Sequence, residues 1–361
     1  MANLYTGTGN SISVGGEPTN KQIKTALLSA IASGDVNMGS VIGATLSYTS
    51  PGEAWETNAE TAYANLLAAY KAIPNSGIPF FISTDQHGRG VEVNRWLNNH
   101  DASVNGMEVM NLNLGDTVID IFNESELTNI YNRSWQIKNH IMVFGNHEIK
   151  AGTETPNLYD LNRWFVSTRG RKFYIGPMGC FTVYDDKHSV KYVCVANYYQ
   201  ADTGIVRGLD ADSAEWLVNE LAKNDGYDVI YLQHWPVFTT KRLRTADTET
   251  ADTENHSNSY NYKIWRMLVA RKHKQSGTFD DVDGGSHVYD FTNCEHELLI
   301  TMHGHNHQEQ MSTADGLTAY AADLLGDNRR CTFGLIDRLN GKVTFWMFDS
   351  AGCLDPLELP I

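Results

Sequence analysis

The run Ile78-Pro79-Phe80-Phe81-Ile82-Ser83, leading into Thr84-Asp85-Gln86-His87, sets the reading of the chain. A short, continuous apolar run closed by a carboxylate and an imidazole suits a strand buried on both faces, with its polar groups at the tip. The same texture recurs downstream. Met107 to Leu114 leads to Asp116, Ile141 to Phe144 leads to Asn146, Val229 to Leu232 leads to His234, and Leu298 to Met302 leads to His305. The first three run ends are spaced by about thirty residues, the length of a strand-helix-strand unit, which brings their polar tips to one sheet edge. Ligands of such sheets gather at the carboxyl ends of the strands.

Outward from these runs, Tyr174 to Tyr198 reads as a meander of strands. Asp212-Ser213-Ala214-Glu215 has capping-box spacing and opens a helix through Trp216, Leu217 and Leu221. Cys331 to Ile336 and Val343 to Phe348 form a hairpin through Asn340-Gly341. Thr239 to Asn261, rich in Thr, Asp, Glu, Asn and Ser, reads as a surface loop just after His234, placed to form the rim of a site. Upstream of residue 77 two helices are expected. One opens at Thr19-Asn20-Lys21-Gln22, carries Ile23, Leu27 and Ile31 on one face and stops at Gly34. The other begins near Glu53, repeats Trp55, Ala59, Ala62, Leu66 and Ile73, and closes at Pro74. Their apolar stripes need cover, so residues 1–76 form either an accessory region or helices packed on the main domain, 77–361.

The 361 residues, 42% of them hydrophobic, suffice for a substantial core. With 28 Lys plus Arg against 43 Asp plus Glu, the formal charge of -15 argues against broad nucleic-acid binding. Five cysteines with no CxxC pair disfavour a disulfide framework and a thiolate zinc site, leaving buried free thiols as the expectation. No signal peptide or membrane span is read, so a soluble protein is expected.

In order, the strand tips are Asp85-Gln86-His87, Gly115-Asp116, Gly145-Asn146-His147-Glu148, His234 and Gly304-His305-Asn306-His307. This series resembles the calcineurin-like metallophosphoesterase superfamily, whose pattern is DxH, GD, GNH followed by an acid, a lone His, and GHxH. The resemblance spans about residues 78 to 348; five elements in one order are specific where a single DxH is not. It implies an α/β fold, a four-layer α-β-β-α sandwich with two mixed sheets, here preceded by a largely helical N-terminal extension, and makes 77–361 a catalytic domain. It assigns Asp85, His87 and His307 to one metal, Asn146, His234 and His305 to a second, and Asp116 to the bridge between them.

The residue types point the same way. Imidazoles, carboxylates and an amide oxygen form a mixed N/O set suited to Mn, Fe, Zn, Co or Ni, and they are too many for one catalytic ion. Two divalent cations sharing a carboxylate lower the pKa of a bridging water, so that a hydroxide attacks a phosphate ester in line at neutral pH. His147 is the candidate acid for the leaving alkoxide, with Glu148 orienting it or securing the turn. Asn146, His147 and Arg89 are the candidate contacts to the phosphate. Where the protein phosphatase branch of the superfamily continues GDxVDRG, this chain reads Gly115-Asp116-Thr117-Val118-Ile119-Asp120-Ile121; the second acid, Asp120, is one residue late and the Arg is absent. That departure puts Asp120 in doubt as a catalytic partner of His147 and argues against that branch.

The function expected is hydrolysis of a phosphomonoester or phosphodiester, small molecule or nucleotide. The alternative is a structural or binding module in a larger assembly, engaged through the N-terminal region. The stretch Thr6-Gly7-Thr8-Gly9-Asn10-Ser11-Ile12-Ser13-Val14 has the composition of phage-associated or surface-assembly proteins, which leaves cytoplasm or such an assembly as the location. His303, beside the last motif, is a candidate partner of a ligand; Trp235 and Pro236 are read as shaping the turn after His234.

Overall fold

The computed structural model describes residues 2–5, 11–14, 54–73, 75–87, 93, 96, 107–117, 139–148, 171–196, 198–201, 204–237, 241–242, 260–323 and 330–361. The expected helix opening at Thr19, Arg89, Asp120 and most of the polar stretch after His234 lie outside these residues. The chain divides into two compact units, Met1–Pro51 and Gly52–Ile361. In the first, the described residues form an antiparallel hairpin of β1 (Ala2–Tyr5) and β2 (Ser11–Val14).

The larger unit is built on two mixed sheets. The six-stranded sheet runs β20 (Leu357–Pro360), β19 (Lys342–Phe348), β18 (Cys331–Asp337), β3 (Gly77–Ser83), β4 (Met110–Asn113), β5 (His140–Met142). Its last three strands are parallel, and the others pair antiparallel. The eight-stranded sheet runs β12 (Lys241–Arg242), β16 (Gln310–Ser312), β17 (Ala319–Ala321), β15 (Leu298–His303), β11 (Asp228–Gln233), β8 (Val190–Val195), β7 (Phe181–Asp185), β6 (Phe173–Ile175). Here β8, β11, β15 and β17 are parallel, and β6-β7-β8 is the meander read from sequence. Two further hairpins pair β9 (Tyr198–Ala201) with β10 (Gly204–Arg207) and β13 (Ser276–Asp280) with β14 (Ser286–Asp290).

Period-two alternation in the buried strands separates three apolar layers. Ile78, Phe80 and Ile82 of β3 and Ile230 and Leu232 of β11 fill the space between the sheets. Phe81 points the other way with Phe333 and Leu335, under helix α1 (Ala54–Ala72), whose stripe Trp55, Ala59, Ala62, Leu66 and Tyr70 covers that face. Val229 and Tyr231 face α2 (Ala211–Ala222) and α3 (Tyr260–Lys272) on the far side of the other sheet. The order α1, six-stranded sheet, eight-stranded sheet, α2 with α3 is the four-layer α-β-β-α sandwich.

Three details differ from the sequence reading. The helix Ala54–Ala72 belongs to the larger unit, because its stripe closes the core over Phe81 and Phe333; the packed-helix alternative describes it. The cap of α2 is Asp210, whose side chain accepts from Ser213 N at 2.8 Å, while Asp212 lies in the first turn, where a carboxylate favours the helix dipole. The hairpin β18-β19 pairs Asp337 with Lys342, so Asn340-Gly341 lies in a four-residue loop, with Gly341 at φ 61° and Asp337 holding Asn340. Of the five thiols, Cys180, Cys194, Cys294 and Cys331 are buried, Cys353 is exposed and none is in a disulfide. No helix among the described residues is long and apolar enough to cross a membrane.

Candidate metal centre

Parallel pairing of β3, β4 and β5 puts Ser83, Asn113 and Met142 in line, so the segments that follow leave the sheet at one edge. Backbone bonds continue beyond the strands: Leu114 N to Ser83 O and Val143 N to Asn113 O, then Asp85 N to Gly115 O and His87 N to Asp116 O, each 2.8 to 2.9 Å. In the other sheet, β11 and β15 end beside each other, and Gly304 N donates to His234 O at 2.8 Å. Two bonds then stitch sheet to sheet at the tips. His234 Nδ1 donates to Leu114 O at 2.7 Å, and His305 N donates to Asp85 Oδ2 at 2.9 Å.

The result is three groups of potential metal-ligating atoms: Asp85, His87 and His307; His87, Asp116 and His147; and Asp116, His234 and His305, the atoms of each lying within 4.8 Å of one another. Six of the seven sequence-predicted ligands are therefore brought together. The seventh, Asn146, sits half-buried in the turn after β5, next to His147. Asp116 joins the second and third groups, and His87 joins the first to the second. Its Oδ2 is 3.1 Å from His234 Nε2 and 3.9 Å from His147 Nε2, and its Oδ1 accepts from His147 N at 2.9 Å.

The backbone is strained where the ligands sit. Asp85, His87, Asp116, His305 and His307 have φ between 43° and 74°, half of the ten described non-glycine residues with positive φ. Left-handed backbone at Asp and His costs free energy and persists where surrounding bonds over-determine it. The glycines before the ligands serve two different needs. Gly115, at φ 102°, makes a turn closed to L side chains, whereas Gly145 and Gly304 are required by close approach. A Cβ on Gly145 would collide with Asp116 Oδ1, and one on Gly304 with Thr84 Oγ1.

Electrostatics follows from two buried carboxylates among imidazoles. Burial pushes Asp116 up, but His234 and the hydrogen bonds it receives hold its carboxyl well below the usual range. Asp85 is likewise held low against burial by His234 and His307. The His234 ring is disfavoured as a cation by complete burial, yet Asp116 and Asp85 raise its pKa to about 9. The contact with Asp85 raises His307, while burial and then His147 lower His87. Asp85 Oδ1, fully buried, receives no hydrogen bond of sound geometry and faces His307 Nε2 at 3.2 Å and His234 Nε2 at 3.9 Å. A buried acceptor without a bond, inside a mixed N/O donor set, fits a divalent cation.

The remaining candidates divide by position. His147 is part-exposed, its ring edge-on to His87 at 4.5 Å. The Glu148 carboxylate is buried and accepts from three backbone N–H groups, Asp116, Thr117 and Gly145, which is the turn-securing arrangement. His303 is fully buried, bonds Thr301 Oγ1 at 3.0 Å and belongs to none of the three groups; burial drives its pKa down to about 3. One supporting residue escaped the sequence reading, and another was read only as shaping a turn. Thr84 donates to Asp85 Oδ2 at 2.7 Å, and Trp235 packs its ring on His305 with centroids 3.8 Å apart. Each adjoins a motif residue in the chain, and adjacency was the only signal available.

No protein-family model matches the chain, and no curated protein matches it. Among solved structures, a putative 5'-nucleotidase from Staphylococcus aureus is similar at 12% identity over 79% of this chain and 54% of its own, with a TM-score of 0.41. A 5'-nucleotidase precursor from Thermus thermophilus is similar at 12% identity, 78% and 54% coverage and a TM-score of 0.40. A conserved protein described as a predicted phosphoesterase, from Streptococcus pneumoniae, is similar at 9% identity, 79% and 98% coverage and a TM-score of 0.34. The chain spans about half the length of the two nucleotidases it matches. Likeness this distant does not specify a reaction.

Proposed function

We propose that this chain is a metal-dependent phosphoesterase that hydrolyses phosphate esters with two divalent cations. The observation that carries the proposal is the Asp116 carboxylate, which groups with His87 and His147 on one side and with His234 and His305 on the other, at the meeting edge of two sheets. A cation pair needs one ligand that serves both ions, and a buried carboxylate with two oxygens is suited to it. Asp85, His87 and His307 would hold one cation, Asn146, His234 and His305 the other, with Asp116 between them. When bound, the pair supplies Lewis acidity, lowering the pKa of water at the site and neutralising charge on the phosphoryl oxygens. Mn, Fe, Zn, Co and Ni all suit the donor set.

His147 carries the remaining chemistry. Its backbone N–H is fixed on Asp116 Oδ1, and its imidazole stands part-exposed beside the shared carboxylate. From there it reaches the phosphate ester and gives its proton to the leaving oxygen. Glu148 is the positioning group that holds the turns, and Asn146 and His147 orient the phosphate. The substrate is a small phosphate ester or nucleotide.

The test is hydrolysis of chromogenic phosphomonoesters and phosphodiesters by metal-loaded protein, beside Asp116→Asn and His147→Ala. The wild type turns over at least one class; Asp116→Asn loses both activity and metal, and His147→Ala loses activity but keeps metal. Wild-type protein that binds cations and hydrolyses no ester would defeat the proposal and favour the binding-module reading. Equal rates for wild type and Asp116→Asn would assign the activity to a contaminant.

A further inference from the structure

Glu148 and Asp116 are engaged in both directions. Glu148 Oε2 accepts from Asp116 N at 2.9 Å and from Gly145 N at 2.6 Å, and Oε1 accepts from Thr117 N at 2.7 Å. In return, His147 N donates to Asp116 Oδ1 at 2.9 Å. One carboxylate thus gathers three N–H donors from two turns on neighbouring strands, while the turn that supplies it fixes one oxygen of the shared aspartate. The absent Cβ of Gly145 gives that oxygen its place. Thr117 is held further by Asn113 Nδ2, which donates to its hydroxyl at 2.7 Å. A buried anion that accepts several backbone N–H bonds forms a strong, directional anchor. Glutamine cannot replace it, because its amide NH2 would face a backbone donor.

We infer that Glu148 is a positioning residue that latches the β4 and β5 turns together and sets Asp116 so that both cations can share it. The inference rests on the cation-pair reading above. It separates Glu148 from the proton chemistry of its neighbour His147: Glu148 acts through Asp116 and the Asn146 turn. Loosening the latch frees the Asn146 turn from Asp116, while the bonds from Asp85 N to Gly115 O and from His87 N to Asp116 O persist and leave Asp85, His87 and His307 able to hold one cation.

The experiment loads wild type, Glu148→Gln and Glu148→Asp with Mn(II). It reads stoichiometry by elemental analysis after equilibrium dialysis, and coupling between the ions by electron paramagnetic resonance. The wild type is expected to bind two ions with a spin-coupled spectrum. Glu148→Gln is expected to keep one ion and bind the second about 10- to 100-fold more weakly, from loss of a charge-assisted bond, with an uncoupled spectrum. Glu148→Asp, which restores the carboxylate on a shorter arm, is expected to recover part of the second-site affinity. Two coupled ions in folded Glu148→Gln at wild-type affinity overturn the inference. Should Glu148→Gln fail to fold, wild-type affinity in Glu148→Asp, or loss of both ions together there, overturns it as well. A wild type that binds only one ion defeats the cation-pair reading instead, a separate outcome.

Discussion

Two buried ionic clusters tie the sheets together at opposite ends of the parallel strands, and they are built on different terms. At the starting end of β4 and β5, Arg171 bonds Asp185 at 2.5 Å and Glu108 at 3.1 Å, and Asp185 also takes His188 Nδ1 at 2.7 Å. Burial pushes the Asp185 carboxyl up, but His188 and Arg171 bring it below its ordinary value. Every strong charge there has a counter-charge in hydrogen-bonding contact. At the finishing end, Asp85 and Asp116 have only imidazoles as ionic partners among the described residues, two of the four contacts at 3.1 and 3.2 Å and two at 3.9 Å. Five of the residues there sit in left-handed backbone. A buried ion pair with matched partners fastens a fold; buried carboxylates faced by imidazoles alone and held in strained geometry are what a cation site requires.

Substitutions sharpen the contrast, because the two ends should fail in different observables. Asp116→Asn is expected to lower hydrolysis by roughly a thousandfold, about 4 kcal/mol of transition-state stabilisation, with metal content falling in parallel. Asp185→Ala should do the opposite. Leaving buried Arg171 with Glu108 as its remaining counter-charge costs up to about 3 to 5 kcal/mol in chemical denaturation, while kcat of the folded fraction is unchanged. A stable Asp185→Ala protein, or an inactive folded one, would erase the distinction.

A pH series tests the starting end again. His140, the first residue of β5, is buried, and burial alone lowers its pKa from 6.5 to about 4. The folded state therefore resists protonation that the unfolded chain accepts. Stability is intact above pH 6.5 and declines as pH falls towards 4, by at most about 3 kcal/mol. His140→Phe should flatten that limb of the urea-midpoint profile, and an unchanged slope would remove His140 as its source. The smallest effect is expected at Trp235. Trp235→Leu removes the ring packed on His305 and should weaken cation binding by about 1 kcal/mol, with Trp235→Phe restoring part of it in calorimetric titration.

Much of this centre was legible because its residues follow strand tips. A strand buried on both faces reads as an apolar run, and the first polar group after it stands where the sheet ends. Asp85, Asp116, His234 and His305 could therefore be picked one by one. Glu148 was legible as a motif residue but not as an anchor, since its three donors come from two turns and only the paired register of β4 and β5 brings them together. The Arg171 cluster left no trace, because Glu108, Arg171 and Asp185 are far apart in the chain and follow no period. The cap of α2 moved from Asp212 to Asp210 because both carboxylates precede an apolar stripe, and only the backbone shows which one lies outside the helix.

What the sequence determined by itself was local: where apolar runs stop, which side chains end them, and that α1 has a single buried stripe. Tertiary structure decided the rest. It placed α1 in the larger unit, because the stripe is satisfied by Phe81 and Phe333, and it joined tips of two sheets through His234 to Leu114 and His305 to Asp85. The physical reason is range. Periodicity and capping are set by neighbours within a turn of helix or a pleat of strand, whereas a shared carboxylate depends on contacts between residues more than a hundred positions apart.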